Sequence, residues 1–516
     1  MARSFNTAGH CRAEYDYMLR PADRLPGVAA LVDAQKYFVL HAPRQSGKTT
    51  ALLALAQELT ASRQYVAVLV SMEVGAGFPH DPGRAEMAML ESWRWAARTQ
   101  LPADLMPPPW PDAAAGSRVA AALATWATAA RLPLVVFLDE VDALQDDTLV
   151  SVLRQLRDGY RNRPGGFPWS LALIGLRDIR DYRVAEGADG RLGTASPFNI
   201  KVESVTLENF SRDDVAALYR QHTDDTGQVF TPSAIDRAYE LTGGQPWLVN
   251  ALARQAVEVL VPDRAVTITP AVMDQAKELL IQRQDTHLDS LAERLREPRV
   301  RRILEPMLAG TALPEVPQDD IRFVIDLGLV RLDDRGGLVV ANPIYREVLA
   351  RVLATTPRAS LPLIAPTWLT ADGRIDIERL LDAFLTFWRR HGQALLGSAP
   401  YPEIAPHLVM MAFLDRVANA GGTLEREYAI GSGRMDLCMR YGADTFAFEL
   451  KVWRDGRPDP LAEGLEQLDG YLSGLGLATG WLVIFDRRSD QGPIEERTTA
   501  TEAVTPAGRR VTVVRG

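Results

Sequence analysis

The chain predicts an α/β protein with two separate sheets, on three observations. Apolar runs of strand length alternate with helical patterns from Tyr37 to about Val205. Helical patterns then take over from Ser211, and a segment rich in Pro, Ala, Ser and Thr, Ala354–Pro366, closes that region. A second alternation of strands and helices starts near Ile375 and runs to the end. At roughly 150 residues per domain, a chain of 516 residues suggests about three or four domains.

In the first region, Tyr37–His41, Tyr65–Met72, Leu134–Leu138 and Ser170–Leu176 read as strands. Their unbroken apolar character suits a parallel sheet covered on both faces. Lys48–Thr60 and Ser117–Ala130 read as the helices between them, and proline-rich Leu101–Pro111 as a surface loop. Ser211 before Asp213 and Asp214 is an N-cap with acids in the first turn. Asp319–Leu327 predicts a helix, Gly328–Leu332 a strand, Asp333–Gly337 a tight turn, Leu338–Ala341 a strand and Pro343–Val352 a helix, the order of a winged helix. Ala354–Pro366 reads as a linker, and Arg488–Gly516 as a polar tail with a last strand at Arg510–Val514.

Composition narrows the function classes. Hydrophobic residues make up 47% and charged residues 24%, the balance of an ordinary folded protein. No apolar run approaches the ~20 residues of a membrane span, and Met1–Arg20 has no apolar signal-peptide core. Cys11 and Cys438 are the only cysteines, which argues against a disulfide framework or a structural zinc and fits a reducing cytoplasm. The net charge of −9 argues against non-specific coating of nucleic acid. Arg294, Arg296, Arg299, Arg301 and Arg302 are interleaved with Glu293 and Glu297 and read as a solvated helix face.

Two segments carry chemistry in the first region. Ala42-Pro43-Arg44-Gln45-Ser46-Gly47-Lys48-Thr49-Thr50 follows a strand and opens a helix. Gly47 lets successive N–H groups face a phosphate, Lys48 offers a cation to the β- and γ-phosphates, and Thr49 offers a hydroxyl to magnesium. Ala42 stands where the usual Walker A pattern has its first glycine. Leu134–Leu138 then ends in Asp139 and Glu140, the Walker B pattern: Asp139 for magnesium, Glu140 for orienting and deprotonating water. ATP is expected over GTP, because no Asn-Lys-x-Asp guanine-reading motif follows.

From about Tyr17 to Leu353 the chain resembles the STAND and AAA-like P-loop ATPases. It does so through these motifs, through Arg20–Arg24, Gly243-Gly244-Gln245-Pro246 and Ala341–Tyr345. The resemblance implies a lid turn with Pro246 near the nucleotide and Arg20–Arg24 near the adenine. It also implies a sensor or charge stabiliser at Arg177, with Arg180 and Arg183 as surface charges or as an arginine finger into a neighbouring subunit of a homo-oligomer. Glu73 is a weaker candidate for controlling Glu140. Pro246 also reads as a plain first-turn proline.

The second region carries Asp436 and then Glu449-Leu450-Lys451 on an apolar strand, Thr445–Val452, after a turn at Gly442–Asp444. Period two puts Glu449 and Lys451 on one face, and a hairpin can bring Asp436 beside them. Two carboxylates and a lysine on one sheet face are costly unless a metal and a substrate balance them. Phosphodiester hydrolysis needs that set: Asp436 and Glu449 to hold magnesium or manganese, Lys451 to position water or stabilise charge. From Ile375 to Asp486 the chain looks like the PD-(D/E)xK nuclease superfamily. Gln467-x-x-x-Tyr471 gives the helix that often follows that core, and Glu403 matches the acid often given by its first helix, Glu403–Ala418, with Glu427 a rival.

The expected organisation is a P-loop NTPase core at 1–207, a helical lid at 208–290, a winged helix at 291–353, a linker at 354–374 and a nuclease-like α/β domain at 375–516. The most economical expectation is an ATPase that controls metal-dependent cutting of DNA or RNA, as in prokaryotic defence or genome-maintenance proteins. The alternative is a STAND-like nucleotide switch whose C-terminal domain binds nucleic acid or a protein partner without cutting.

Overall fold

The computed structural model describes residues 3–176, 203–283, 293–308, 313–333, 335–360, 366–398, 405–418, 422–430, 433–489 and 491–516. The chain forms two compact units: Met1–Gln284 with Pro317–Pro343, and Asp285–Val316 with Ile344–Gly516.

The first unit is built on β1 (Tyr37–His41), β2 (Val66–Ser71), β3 (Leu134–Asp139), β4 (Ser170–Gly175) and β5 (Glu203–Thr206), in the order β2-β3-β4-β1-β5. All neighbours run parallel. Alternation sends Val39, Val68, Val136 and Leu138 into one apolar layer and Phe38, Leu40, Leu69 and Phe137 into the other. This two-sided burial is why the strands read as unbroken apolar runs. Helix α1 (Lys48–Ala61) packs on β2, and α2 (Pro82–Gln100), α3 (Arg118–Ala129) and α4 (Asp146–Gly159) pack on one another. Helix α2 starts on an Asp81 cap with Pro82 in its first turn.

Helices α5 (Arg212–Thr226), α6 (Pro232–Thr242), α7 (Pro246–Arg254) and α8 (Pro270–Arg283) follow. A full capping box between Ser211 and Asp214 starts α5, as its sequence predicts. Every residue of α7 from Pro246 to Ala253 is buried, so this helix is enclosed on all sides. The unit also holds α9 (Gln318–Asp326) and the antiparallel pair β6 (Val330–Leu332) and β7 (Leu338–Val340). At Gly328, φ is +73° and an added Cβ would lie 2.6 Å from Pro43 Cγ, so only glycine fits against the P-loop there.

The second unit contains the helix Pro298–Leu308, α10 (Pro343–Ser360), α11 (Ile377–Ser398), α12 (Ala405–Ala418), β8 (Gly422–Ile430), β9 (Gly433–Tyr441), β10 (Asp444–Trp453), α13 (Leu461–Leu475), β11 (Trp481–Asp486), β12 (Thr499–Val504) and β13 (Arg510–Arg515). Its six-stranded sheet has the order β12-β13-β11-β10-β9-β8. Strands β8, β9 and β10 form an antiparallel meander, and β11 and β13 add in parallel. Helix α13 covers the face that carries Ala447, Leu482, Ile484, Val511 and Val513.

Three expectations change here. The residues read as a polar tail hold, besides the expected last strand, now β13 and largely buried, a second one: β12, a mostly exposed edge strand whose polar face disguised it. Helix α10 runs on through Pro357 to Ser360, so the first half of the expected linker is helical. Further along, Trp368 is 2% exposed and in ring contact with Phe413, so this residue of the expected linker is anchored in the core. The helix–strand–strand–helix order of the expected winged helix is present, yet α9, β6 and β7 count with the first unit and most of α10 with the second. Glu297 pairs with Arg294 at 2.6 Å and with Arg299 at 3.2 Å, in keeping with a solvated, self-paired charge cluster. Among the described residues no helix is long and apolar enough to cross a membrane.

Candidate functional site

The carboxyl ends of β1 and β3 carry the first site, where ligands of parallel sheets commonly bind. The loop Ala42–Gly47 turns from β1 into α1 through two left-handed residues, Gln45 (φ 58°) and Gly47 (φ 87°). At Gly47 an added Cβ would stand 2.9 Å from Arg24 Nη1, so a side chain there would push the arginine off the loop. Lys48 folds back over the loop and donates to the carbonyls of Ala42 at 2.7 Å and Pro43 at 2.8 Å. Burial pushes its ammonium down to about 8, against the pull of Asp139 and Asp142. A cation in that state gains by meeting an anion, which is what a phosphate at this loop would supply.

Thr49 Oγ1 donates to Asp139 Oδ2 at 2.8 Å, so the two motifs converge. Burial raises the Asp139 carboxyl, and the hydrogen bonds from Thr49 and from the Glu140 backbone oppose it. A hydroxyl and a carboxylate side by side are oxygen donors of the kind magnesium takes. Glu140 sits in the left-handed region at φ 59°, an uncommon conformation for a residue with a Cβ. Its Oε2 accepts from Ser71 Oγ at 2.8 Å, and Ser71 Oγ also accepts from the Glu73 backbone N–H at 3.0 Å. Burial raises the Glu140 carboxyl, and the nearby Glu73 and Asp139 charges add to the rise. Glu73 thus lies near enough to Glu140 for its charge to be felt there. Ser71, which the sequence reading passed over, makes the direct contact.

A cavity of about 450 Å³ opens beside the loop. Gln45, Gly47, Lys48, Thr49 and Thr50 line one side, and Pro246, Trp247 and Phe210 another. Arg44 lies exposed beyond it, and Ala42 and Ser46 are buried beneath the loop. Gln245 caps α7 by accepting from the Leu248 N–H at 2.6 Å and reaches the Gln45 carbonyl at 3.3 Å, so Pro246 is both a first-turn proline and a wall of the cavity. Arg24 also lines it, donating to the carbonyls of Ser46 at 2.9 Å and Glu208 at 2.7 Å, with burial pushing it down to about 10. A further wall is an N-terminal arm, Asn6–Cys11, which has no sequence motif.

The second site lies on β10. Its antiparallel pairing with β9 sets Phe448 opposite Leu437, each the chain neighbour of one of the two acids, Glu449 and Asp436. Asp436 Oδ2 accepts from the Leu450 N–H at 2.8 Å. Lys451 Nζ stands 3.1 Å from Glu449 Oε1 and 3.5 Å from Glu463 Oε1, and donates in a short contact to Gln467 Oε1. Gln467 Nε2 in turn donates to Glu463 at 3.3 Å. Glu463, one turn before Gln467 on α13, is a further member that the sequence reading missed.

Glu449 is only 2% exposed, and its Oε2 has no hydrogen-bond partner among the described residues. Burial, with the Asp436 charge beside it, pushes its carboxyl up to about 8, against the pull of Lys451. A buried carboxylate oxygen without a donor fits a cation. Asp436 and Glu449 are a pair, however: among the described residues no group of three His, Cys, Asp or Glu side chains could hold a metal. Glu403, Arg177, Arg180 and Arg183 lie outside the described residues, and Glu427 stands on β8.

The first unit thus has the parallel sheet, loop and acid pair of a P-loop NTPase fold. No protein-family model matches the sequence, and no curated protein matches it. Among solved structures, the Walker-type ATPase PABY2304 of Pyrococcus abyssi is similar at 15% identity and TM-score 0.47, covering 67% of this chain and 99% of that one. The Aeropyrum pernix ORC1 protein, solved in complex with DNA, is similar at 15% identity and TM-score 0.34, covering 65% and 93%. Thermotoga maritima RuvB, a Holliday junction branch migration motor, is similar at 14% identity and TM-score 0.34, covering 61% and 88%. At such identities the functional reading rests on the residues of the two sites themselves.

Proposed function

We propose that this protein binds and hydrolyses ATP on its first unit and that the nucleotide controls a metal-dependent nuclease centre on its second. The observation that carries the ATPase half is the contact of Thr49 with Asp139, which unites the loop and the acid strand beside a cavity lined by Lys48. Thr49 and Asp139 would hold magnesium, which shields phosphate charge when bound. Lys48 binds phosphate. Glu140, kept in place by Ser71 and made more basic by burial, is the base that takes a proton from water.

The nuclease half is supported by Asp436, Glu449 and Lys451 on one sheet face, with Gln467 beside the lysine. Asp436 and Glu449, with Glu403, would hold magnesium or manganese, which polarises the phosphodiester when bound. DNA or RNA is the substrate. A winged helix at 291–353 and a homo-oligomer with Arg177, Arg180 or Arg183 reaching across belong to the same reading.

The test is a cutting assay on single- and double-stranded DNA and RNA, with magnesium or manganese, with and without ATP. The expected result is cleavage that depends on metal and on ATP and is lost in Lys451→Ala. If wild type and Lys451→Ala alike leave every substrate intact while ATP is still hydrolysed, the second unit is a binding module and the protein a nucleotide switch.

A further inference from the structure

The N-terminal arm walls the P-loop cavity without belonging to either motif of the nucleotide site. Its residues from Asn6 to Cys11 line the cavity without a break. Ala8, Gly9 and His10 are also exposed, so this stretch forms part of the cavity's rim.

An irregular segment stays ordered only where contacts tie it down. Here the ties lie on three helices around the cavity. On α5, Asp225 pairs with Arg3 at 2.9 Å, and Gln221 Oε1 accepts from Arg3 Nη1 at 3.3 Å. Phe5, 2% exposed, packs its ring against Tyr219 and His222 of the same helix. On α7, Trp247 Nε1 donates to the Thr7 carbonyl at 2.8 Å and Arg254 Nη1 to Thr7 Oγ1 at 2.7 Å. On α1, Thr50 Oγ1 accepts from the Cys11 N–H at 3.1 Å, one residue beyond Thr49. The arm thus runs from α5 and α7 to the helix that carries the phosphate loop, and the stretch between its anchors borders the cavity.

Each tie is modest. An exposed ion pair or a single hydrogen bond holds weakly, so local undocking is easier than global unfolding. A nucleotide that fills the cavity touches the arm only while the arm is docked. Linkage makes this reciprocal: whatever the nucleotide adds to arm docking, docking adds to nucleotide affinity.

We propose that the arm is a strap over the nucleotide site, and that its undocking from α5 and α7 sets the rate at which ADP leaves. This rests on the nucleotide-binding reading above.

Neither Arg3 nor Phe5 lines the cavity, so a change at either reaches the nucleotide only through the arm. The test follows release of radiolabelled ADP from the full-length protein, with magnesium, after a chase of unlabelled ADP. Arg3→Asp sets two carboxylates together and is expected to speed release about fivefold. Adding Asp225→Arg restores opposite charges and is expected to bring the rate back to within about twofold of wild type. Phe5→Ala is expected to speed release about tenfold or more. In wild type, hydrogen exchange of the arm amides is expected to slow when ADP binds. Unchanged release in Arg3→Asp and Phe5→Ala overturns the proposal. Failure of the charge swap to restore the rate, or exchange that ADP leaves unchanged, overturns it as well. If Phe5→Ala does not fold, the charge-reversal pair decides. Lys48→Ala separates the two readings: if it abolishes ADP binding while the arm variants release ADP at the wild-type rate, the phosphate site stands and the strap falls. If wild type binds no ADP, both readings fall.

Discussion

Lys48 and Lys451 each stand among acidic side chains at the end of a buried strand or loop, and their surroundings act on them in opposite directions. Lys48 donates to two carbonyls, and burial lowers it to about 8. Lys451 faces Glu449, Glu463 and Gln467, and the Glu449 charge raises it against burial. The strained group in the second site is the acid: Glu449 is pushed up to about 8. Burial disfavours the charged form of a cation in one site and of a carboxylate in the other. The first is prepared for an anion, the second for a cation.

That contrast can be broken by experiment. The largest effect is expected from Lys451→Ala, which should lower metal-dependent cutting by about a thousandfold or more and leave ATP hydrolysis near wild type. Equal loss of both activities would undo the separation of the sites. Lys48→Ala should weaken ATP binding by about a hundredfold or more, read by calorimetry. An affinity within a few-fold of wild type would remove the loop from the nucleotide site. Glu140→Gln should keep ATP binding and slow hydrolysis by about a hundredfold or more. Unchanged turnover would show that another group takes the proton. Ser71→Ala should slow hydrolysis by only about five- to tenfold, and no change at all would reduce the Ser71 contact to a local tie.

The smallest effect separates the two sites by pH. Glu449 has a folded value raised to about 8, so its contribution to stability is full below its unfolded range near 4.5 and is lost as pH rises toward 8. Lys48 has a folded value lowered to about 8, so its burial costs stability below that pH, and the cost fades between 8 and 10.5. In metal-free protein, Glu449→Gln should therefore flatten the fall of Tm between about pH 5 and 8 by a few degrees. An identical pH profile in both proteins would refute the raised carboxyl.

The parts of the molecule that were legible were those whose chemistry is local. Strands β1 to β4 are apolar on both faces, so each can be read without knowing its neighbours. Lys48, Thr49, Asp139 and Glu140 lie in segments whose order alone implies a loop and a strand end. Ser71 is a single serine at a strand end, and only the left-handed turn at Glu140 brings the carboxylate back to it. The Asn6–Cys11 arm has no periodicity, and its place depends on contacts with Trp247 and Arg254 more than two hundred positions away. Glu463 carries no sequence signal, since a largely exposed glutamate on a helix looks like any solvated acid until the fold sets Lys451 beside it. Strand β12 was missed because an edge strand with a polar face looks like loop, and α10 because Pro357 signals a stop that the helix does not obey.

The division of the chain carries a practical consequence. It passes between the two units three times: after Gln284, after Val316 and after Pro343. No single cut frees one unit whole. A fragment ending at Gln284 lacks Gly328, the residue that fits against Pro43 of the P-loop. A fragment starting at Ile375 lacks Arg351, which ties α10 to the Leu424 carbonyl of β8 at 3.0 Å, and the helix Pro298–Leu308 as well. Each fragment would therefore expose surface that the intact chain covers from a distant stretch of sequence. The protein is better divided by point substitution than by scissors.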